Sequence, residues 1–109
     1  MRIFRKGYDM KEIELMEHVL DEIRDAHNYV KMAIEYKDCY SKTAELLYKL
    51  SGEEMEHANE LHKNVVWMMD ERRKVGELPA DDAAVYEYLH RQAIDKSGDV
   101  GVLQGMYRR

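Results

Sequence analysis

A chain of 109 residues forms one domain at most, and 45% apolar with 36% charged residues is the composition of amphipathic helices, not of a disordered segment. A net charge of −5 speaks against a nucleic-acid or anionic-membrane surface as the main role. With one proline, Pro79, and no glycine between Gly7 and Gly52, the chain is too poor in turns for an all-β fold, and the expected class is all-α.

Cys39 has no second cysteine to pair with, which fits a reducing cytoplasm. The basic start Met1-Arg2-Ile3-Phe4-Arg5-Lys6 is not followed by an apolar run, so neither a signal peptide nor a transmembrane span is expected. A helical chain this short often hides its remaining apolar face in an oligomer, and the expected partner is a second copy of itself.

Residues 1–8 read as a short arm of a single domain spanning 1–109. Asp9 is the expected cap of a first helix, with Glu12 three residues later completing a capping-box pattern. That helix is expected over about 9–37, roughly 28 residues and about 42 Å. It carries two adjacent stripes, Ile13/Met16/Leu20/Ile23/His27/Val30/Ile34 and Leu15/Val19/Glu22/Ala26/Tyr29/Ala33/Tyr36. A face this wide touches more than one neighbour. The expected turn is Asp38-Cys39-Tyr40-Ser41, with Ser41 or Thr43 as the next cap. A second helix follows over about 42–74, in which Gly52 costs about 1 kcal/mol relative to alanine. Arg72, Arg73 and Lys74 suit the negative end of its dipole. Val75-Gly76-Glu77-Leu78-Pro79 is the clearest break. A third helix is expected over about 80–107, opened by Asp81 and Asp82, with Val85, Leu89, Ala93, Val100, Leu103 and Tyr107 as its stripe. Ser97-Gly98 and Gly101 weaken it and mark a candidate break near residue 97.

The chemistry concentrates in Ser51-Gly52-Glu53-Glu54-Met55-Glu56-His57-Ala58. Residues three apart share a helix face, so Glu54 and His57 can bring a carboxylate and an imidazole to one transition metal. About 0.6 such Glu-x-x-His pairs are expected by chance in a chain of this composition, so position carries the argument. Leu47, Leu50, Glu54, His57, Leu61, Val65 and Met68 follow a 3-4 spacing, which predicts that both residues replace apolar ones on the inward seam. An unpaired buried carboxylate costs several kcal/mol and calls for a metal, a proton or a cation.

If the first two helices form an antiparallel hairpin turning near residue 39–40, equal rise per residue puts Glu22 opposite about residue 57. Three core-facing polar residues from two helices then fall at one height. The second pair of this type, Glu87-x-x-His90, fails the same test: with a turn near 77–78 it lies roughly 11–14 residues, or about 17–20 Å, away along the axis, and it reads as a solvated face. Asp99 falls near the level of Glu54 and is an outside candidate, conditional on a helix that continues past Gly98.

Glu22-Ile23-Arg24-Asp25-Ala26-His27-Asn28-Tyr29 and Leu50-Ser51-Gly52-Glu53-Glu54-Met55-Glu56-His57-Ala58 together resemble the ferritin-like superfamily, in particular rubrerythrins, bacterioferritins and the short encapsulated ferritins. In those families a first helix gives a Glu with an aromatic seven residues later, and a second gives E-x-x-H followed by Ala. The resemblance covers about residues 10–72, half of a ferritin-type four-helix bundle. It implies that Glu22 and Glu54 are carboxylate ligands, that His57 is a terminal nitrogen ligand and that Tyr29 is a hydrogen-bonding neighbour. The implied cofactor is iron, as a di-iron site, or another divalent transition metal. A complete site needs two such halves, so the four-helix bundle and its ligand set would be completed by dimerisation, in a homodimer or larger even oligomer. The third helix has no motif matching the family.

The competing reading of Glu22, Glu54 and His57 is a buried hydrogen-bonded or ion-paired cluster without metal. His27 reads as a core or interface histidine, His18 and His62 as surface residues, and Trp67, Tyr86, Tyr88 and Tyr107 as interface anchors. Two function classes follow. One is a ferritin-like metal-binding protein with iron-oxidising activity. The other is a non-enzymatic helical assembly or adaptor protein that kept the fold and lost the chemistry.

Overall fold

A computed structural model describes residues 10–109 and consists of three helices, α1 (Lys11–Tyr36), α2 (Ser41–Val75) and α3 (Ala80–Arg108), with no strand among the described residues. The expected all-α class and the three expected helices are what is found. None of these helices is long and apolar enough to cross a membrane.

The helix ends differ in detail from expectation. Asp9, the expected first cap, lies outside the described residues. The capping box expected of Asp9 and Glu12 therefore lies outside them too, and both Glu12 carboxylate oxygens accept hydrogen bonds from Arg72 of α2, at 2.9 and 3.1 Å. Neither Ser41 nor Thr43 caps α2. Tyr40 occupies that position, its carbonyl accepting from Ala44 N–H at 2.9 Å, and Ser41 is already helical. The turn Lys37–Tyr40 is held by Tyr40 N–H donating to Tyr36 O at 2.8 Å and by the Lys37 ammonium donating to the Tyr107 carbonyl at the far end of α3. Cys39 is exposed in this turn, as expected. α2 ends on the cationic turn Arg72–Lys74, and the chain breaks over residues 76–79.

The candidate break near residue 97 is absent, and α3 runs unbroken through Gly98 and Gly101. Each glycine costs a helix about 1 kcal/mol, and tertiary contacts on either side offset that cost. Val100 is fully buried, Gln104 donates to Ser51 Oγ at 3.1 Å, and Tyr107 stacks on Tyr48 with ring centroids 4.6 Å apart.

α1 is the central helix. α2 packs antiparallel to it, while α3 returns along α1 and stands off α2, meeting it through separate side-chain bridges. The core runs along α1 through Ile13, Met16, Val19, Ile23 and Ala26, joined by Ala58, Val65 and Met69 of α2 and Tyr86, Ala93 and Val100 of α3. Both expected α1 stripes contribute, because one helix with two neighbours buries the strip between them. Ser51 ties all three helices: fully buried, it donates to the Ala26 carbonyl at 2.8 Å while accepting from Gln104.

The α2 seam is corrected by rotation. The buried line is Ala44, Leu47, Ser51, Ala58, Val65 and Met69, about a sixth of a turn from the predicted one. The small side chains at 44, 51 and 58 are buried in this contact, and the larger Leu50, Leu61 and Met68 flank it half-buried. α3 is rotated likewise: Tyr86, expected at an interface, is a core residue at 3% exposure, while Val85, expected inward, is 38% exposed.

Candidate metal centre

The rotation of α2 decides the setting of the predicted site. Glu54 and His57 lie at the rim of the α1–α2 contact, not at its centre, with side-chain exposures of 24% and 64%. The hairpin nevertheless brings the three predicted residues to one height. Glu22 of α1 and Glu54 and His57 of α2 each offer one donor atom, and these atoms lie within 4.8 Å of one another. Glu54 Oε1 and His57 Nδ1 are 3.2 Å apart, as three-residue spacing on a helix allows.

Electrostatically the cluster is short of positive charge. Among the described residues neither Glu22 nor Glu54 makes an ion pair with lysine or arginine, and His57 is the one basic group in contact. Glu22 Oε2 is buried and has no hydrogen-bond partner. Burial pushes the Glu22 carboxyl above its ordinary range and the neighbouring Glu54 carboxylate adds to this, with His57 and His18 pulling back. Tyr29, which the resemblance makes a hydrogen-bonding neighbour, is half-buried and does not bond that oxygen.

Two carboxylate oxygens and one imidazole nitrogen form a mixed donor set of the kind that holds Fe2+, Mn2+ or Zn2+. Bonds of about 2.1 Å need donor atoms roughly 3–4 Å apart, so the Glu54–His57 pair already has the spacing and Glu22 closes by about an ångström at most. The Glu22 carboxylate, one of whose oxygens is buried without a partner, is the group such an ion would neutralise. Three ligands leave positions open for water or a second set of ligands.

The other candidates separate from this cluster. His27 and Asp99 line a cleft of about 500 Å³ between α1 and α3, together with Arg24, Tyr88, Gln92 and Lys96. Asp99, the outside candidate, therefore lies on the other flank of α1. Glu87 is exposed against Arg73 at 3.7 Å, as a solvated-face reading requires. His90 and His62 do not follow their surface readings. They are half-buried and meet across α2 and α3, with His62 Nε2 2.9 Å from His90 Nδ1. Burial and then the neighbouring His90 hold the His62 imidazole below its ordinary range. The signal was present in the sequence: His62 extends the small-residue line Ala44–Ser51–Ala58, which the leucine-weighted seam passes over.

Fold and cluster together define a three-helix chain carrying a carboxylate–imidazole triad on the open flank of its hairpin. Comparison with protein-family models, with curated proteins and with solved structures finds no match.

Proposed function

We propose that this chain is a metal-binding helical protein whose Glu22, Glu54 and His57 hold a divalent transition-metal ion, with iron the first candidate. The observation that supports it best is the convergence of the three donors within 4.8 Å, on a Glu22 carboxylate that also has a buried oxygen without a hydrogen-bond partner. The resemblance to the ferritin-like superfamily at Glu22…Tyr29 and Glu54-x-x-His57-Ala58 points the same way.

The triad is half of the ligand set of di-iron carboxylate bundles, in which two helices each give a Glu and two each give a Glu-x-x-His. A second copy placed flank to flank supplies the rest. The flank suits such a partner, because Leu46, Leu50, Leu61 and Met68 share the Glu54 face of α2 by helical spacing, and Tyr29 and Tyr36 that of Glu22 on α1; Leu46 is 54% exposed and the others half-buried. Iron held there would supply redox chemistry, each Fe(II) giving one electron to an external oxidant such as dioxygen or peroxide. The chain's part is to balance the rising charge with two carboxylates and to fix the geometry through His57. A cytoplasmic setting, suggested by the lone Cys39, would keep iron available in its reduced form.

The test is elemental analysis of size-exclusion fractions after anaerobic Fe(II) loading. About one iron per chain in a dimer or larger even oligomer is expected for a shared two-metal site. Glu54→Ala should abolish uptake with the helical circular dichroism intact. Unchanged metal content in that variant refutes the assignment to this triad, and no retained metal at any oligomeric state refutes the reading in favour of a helical assembly protein without metal chemistry.

A further inference from the structure

His62 lies about 140° round α2 from His57, on the flank turned to α3. There it meets His90, with Nε2 to Nδ1 at 2.9 Å, ring centroids 4.8 Å apart and planes at 72°. The pair is built in. Tyr86, 3% exposed and one turn before His90, stacks on its ring with centroids 5.7 Å apart and planes at 22°. A core side chain thus sets the orientation of the His90 imidazole. Arg73 sits over the Tyr86 ring and pairs with Glu87.

We propose that His62 and His90 form a second metal site, a two-imidazole seat for a late first-row divalent ion of the Ni2+, Cu2+ or Zn2+ class, which staples α3 to α2. Imidazole nitrogens suit these ions, whereas the carboxylate-rich triad suits harder ones. Metal–nitrogen bonds of about 2.0–2.1 Å at right angles set two donors about 2.9 Å apart, the spacing already present. In the metal-free pair one facing nitrogen carries the proton and donates to the other. On binding, that ring takes its other tautomer and both rings turn: the proton moves through solvent from the facing nitrogen to the outer one, the two lone pairs converge on the ion, and no proton is lost or gained overall. Water fills the remaining positions. The site lies where the fold gains most from a staple, since α3 packs along α1 and touches α2 only at separate points. It uses no residue of the Glu22–Glu54–His57 triad and stands or falls independently of it.

The experiment is a Ni2+ titration of the full chain carrying Glu54→Ala, which removes the first site from the measurement. Calorimetry gives stoichiometry and affinity, thermal unfolding gives Tm, and histidine side-chain NMR identifies the rings. The expected result is one Ni2+ per chain, a Tm that rises with Ni2+ concentration by mass action, and perturbed His62 and His90 resonances. Adding His62→Ala or His90→Ala should weaken binding by at least the roughly tenfold that loss of even an outer-shell partner costs a metal site, while His57→Ala should leave it unchanged. His90→Gln keeps a polar partner for His62, and it too should lose Ni2+ while folding normally. Equal Ni2+ affinity with and without His62, or a titration that moves neither Tm nor the two histidine resonances, overturns the proposal and leaves a pair that only shares a proton.

Discussion

Replacing Glu22 by glutamine should stabilise the metal-free protein. In the folded chain the Glu22 carboxylate has one buried oxygen without a partner and faces Glu54 across no more than 4.8 Å. Two like charges at that distance repel by about 1 kcal/mol in a water-like dielectric and about 3.5 kcal/mol at an effective dielectric near 20. His57 and His18 offset part of this repulsion, so the lower end applies. Glutamine removes the charge, keeps the shape, and offers an amide that donates toward Glu54. A net gain of about 1 kcal/mol at pH 7 follows, worth about 4–8 °C in Tm for a domain of this size. The pH dependence has a definite sign. The folded Glu22 pKa lies above its ordinary 4.5, so the folded state binds the proton more tightly than the unfolded one. Below 4.5 the carboxyl is neutral in both states and costs nothing. As pH rises from there through the raised folded value, the penalty appears and stability falls. The advantage of Glu22→Gln should therefore be present at pH 7 and vanish near pH 4. Thermal unfolding in EDTA across that range is the assay. A Tm for Glu22→Gln at or below that of the native chain at pH 7, or an equal gain at both pH values, would refute the reasoning.

Three further outcomes follow from the packing. Arg72→Ala leaves the 4%-exposed Glu12 without its two hydrogen bonds; because the Arg72 side chain is itself 43% exposed, the cost should be about 2 kcal/mol, below the 3–5 kcal/mol of a fully buried pair, as read by urea unfolding. Burial alone would raise the Glu12 carboxyl, but the hydrogen bonds and charge of Arg72 outweigh it and hold it below 4.5. This pair therefore stabilises above that pH and is lost as pH falls through the folded value, the opposite sign to Glu22. Ser51→Ala strands the Gln104 amide and removes a bond to the Ala26 carbonyl, for about 1–2 kcal/mol and a loss of amide protection over the last two turns of α3 in hydrogen exchange. Gly101→Ala should raise stability by about 0.5–1 kcal/mol, since the position is helical, exposed and has nothing within 4 Å of an added methyl.

The residue order alone carried much of this. Apolar spacing located all three helices and gave the first a face wide enough for more than one neighbour, and Gly76 and Pro79 marked the break. Equal helical rise about a turn at residue 39–40 was enough to bring Glu22 level with Glu54 and His57, because axial position depends only on counting residues. Azimuth does not follow from counting. Periodicity leaves a helix free to rotate by some tens of degrees, and side-chain bulk settles the choice. Ala44, Ser51 and Ala58 took the buried line of α2, which left Glu54 and His57 at the rim and brought His62 round to meet His90. The straight course of α3 was also settled in three dimensions. A local cost at Gly98 and Gly101 was outweighed by Val100, Gln104 and Tyr107 reaching partners dozens of residues away. What the sequence determined by itself is the helices, their lengths and the height of the triad, all local in origin. The tertiary structure alone decided which face each helix buries and which side chains meet across the seams, because those depend on volumes packed from segments far apart in the chain.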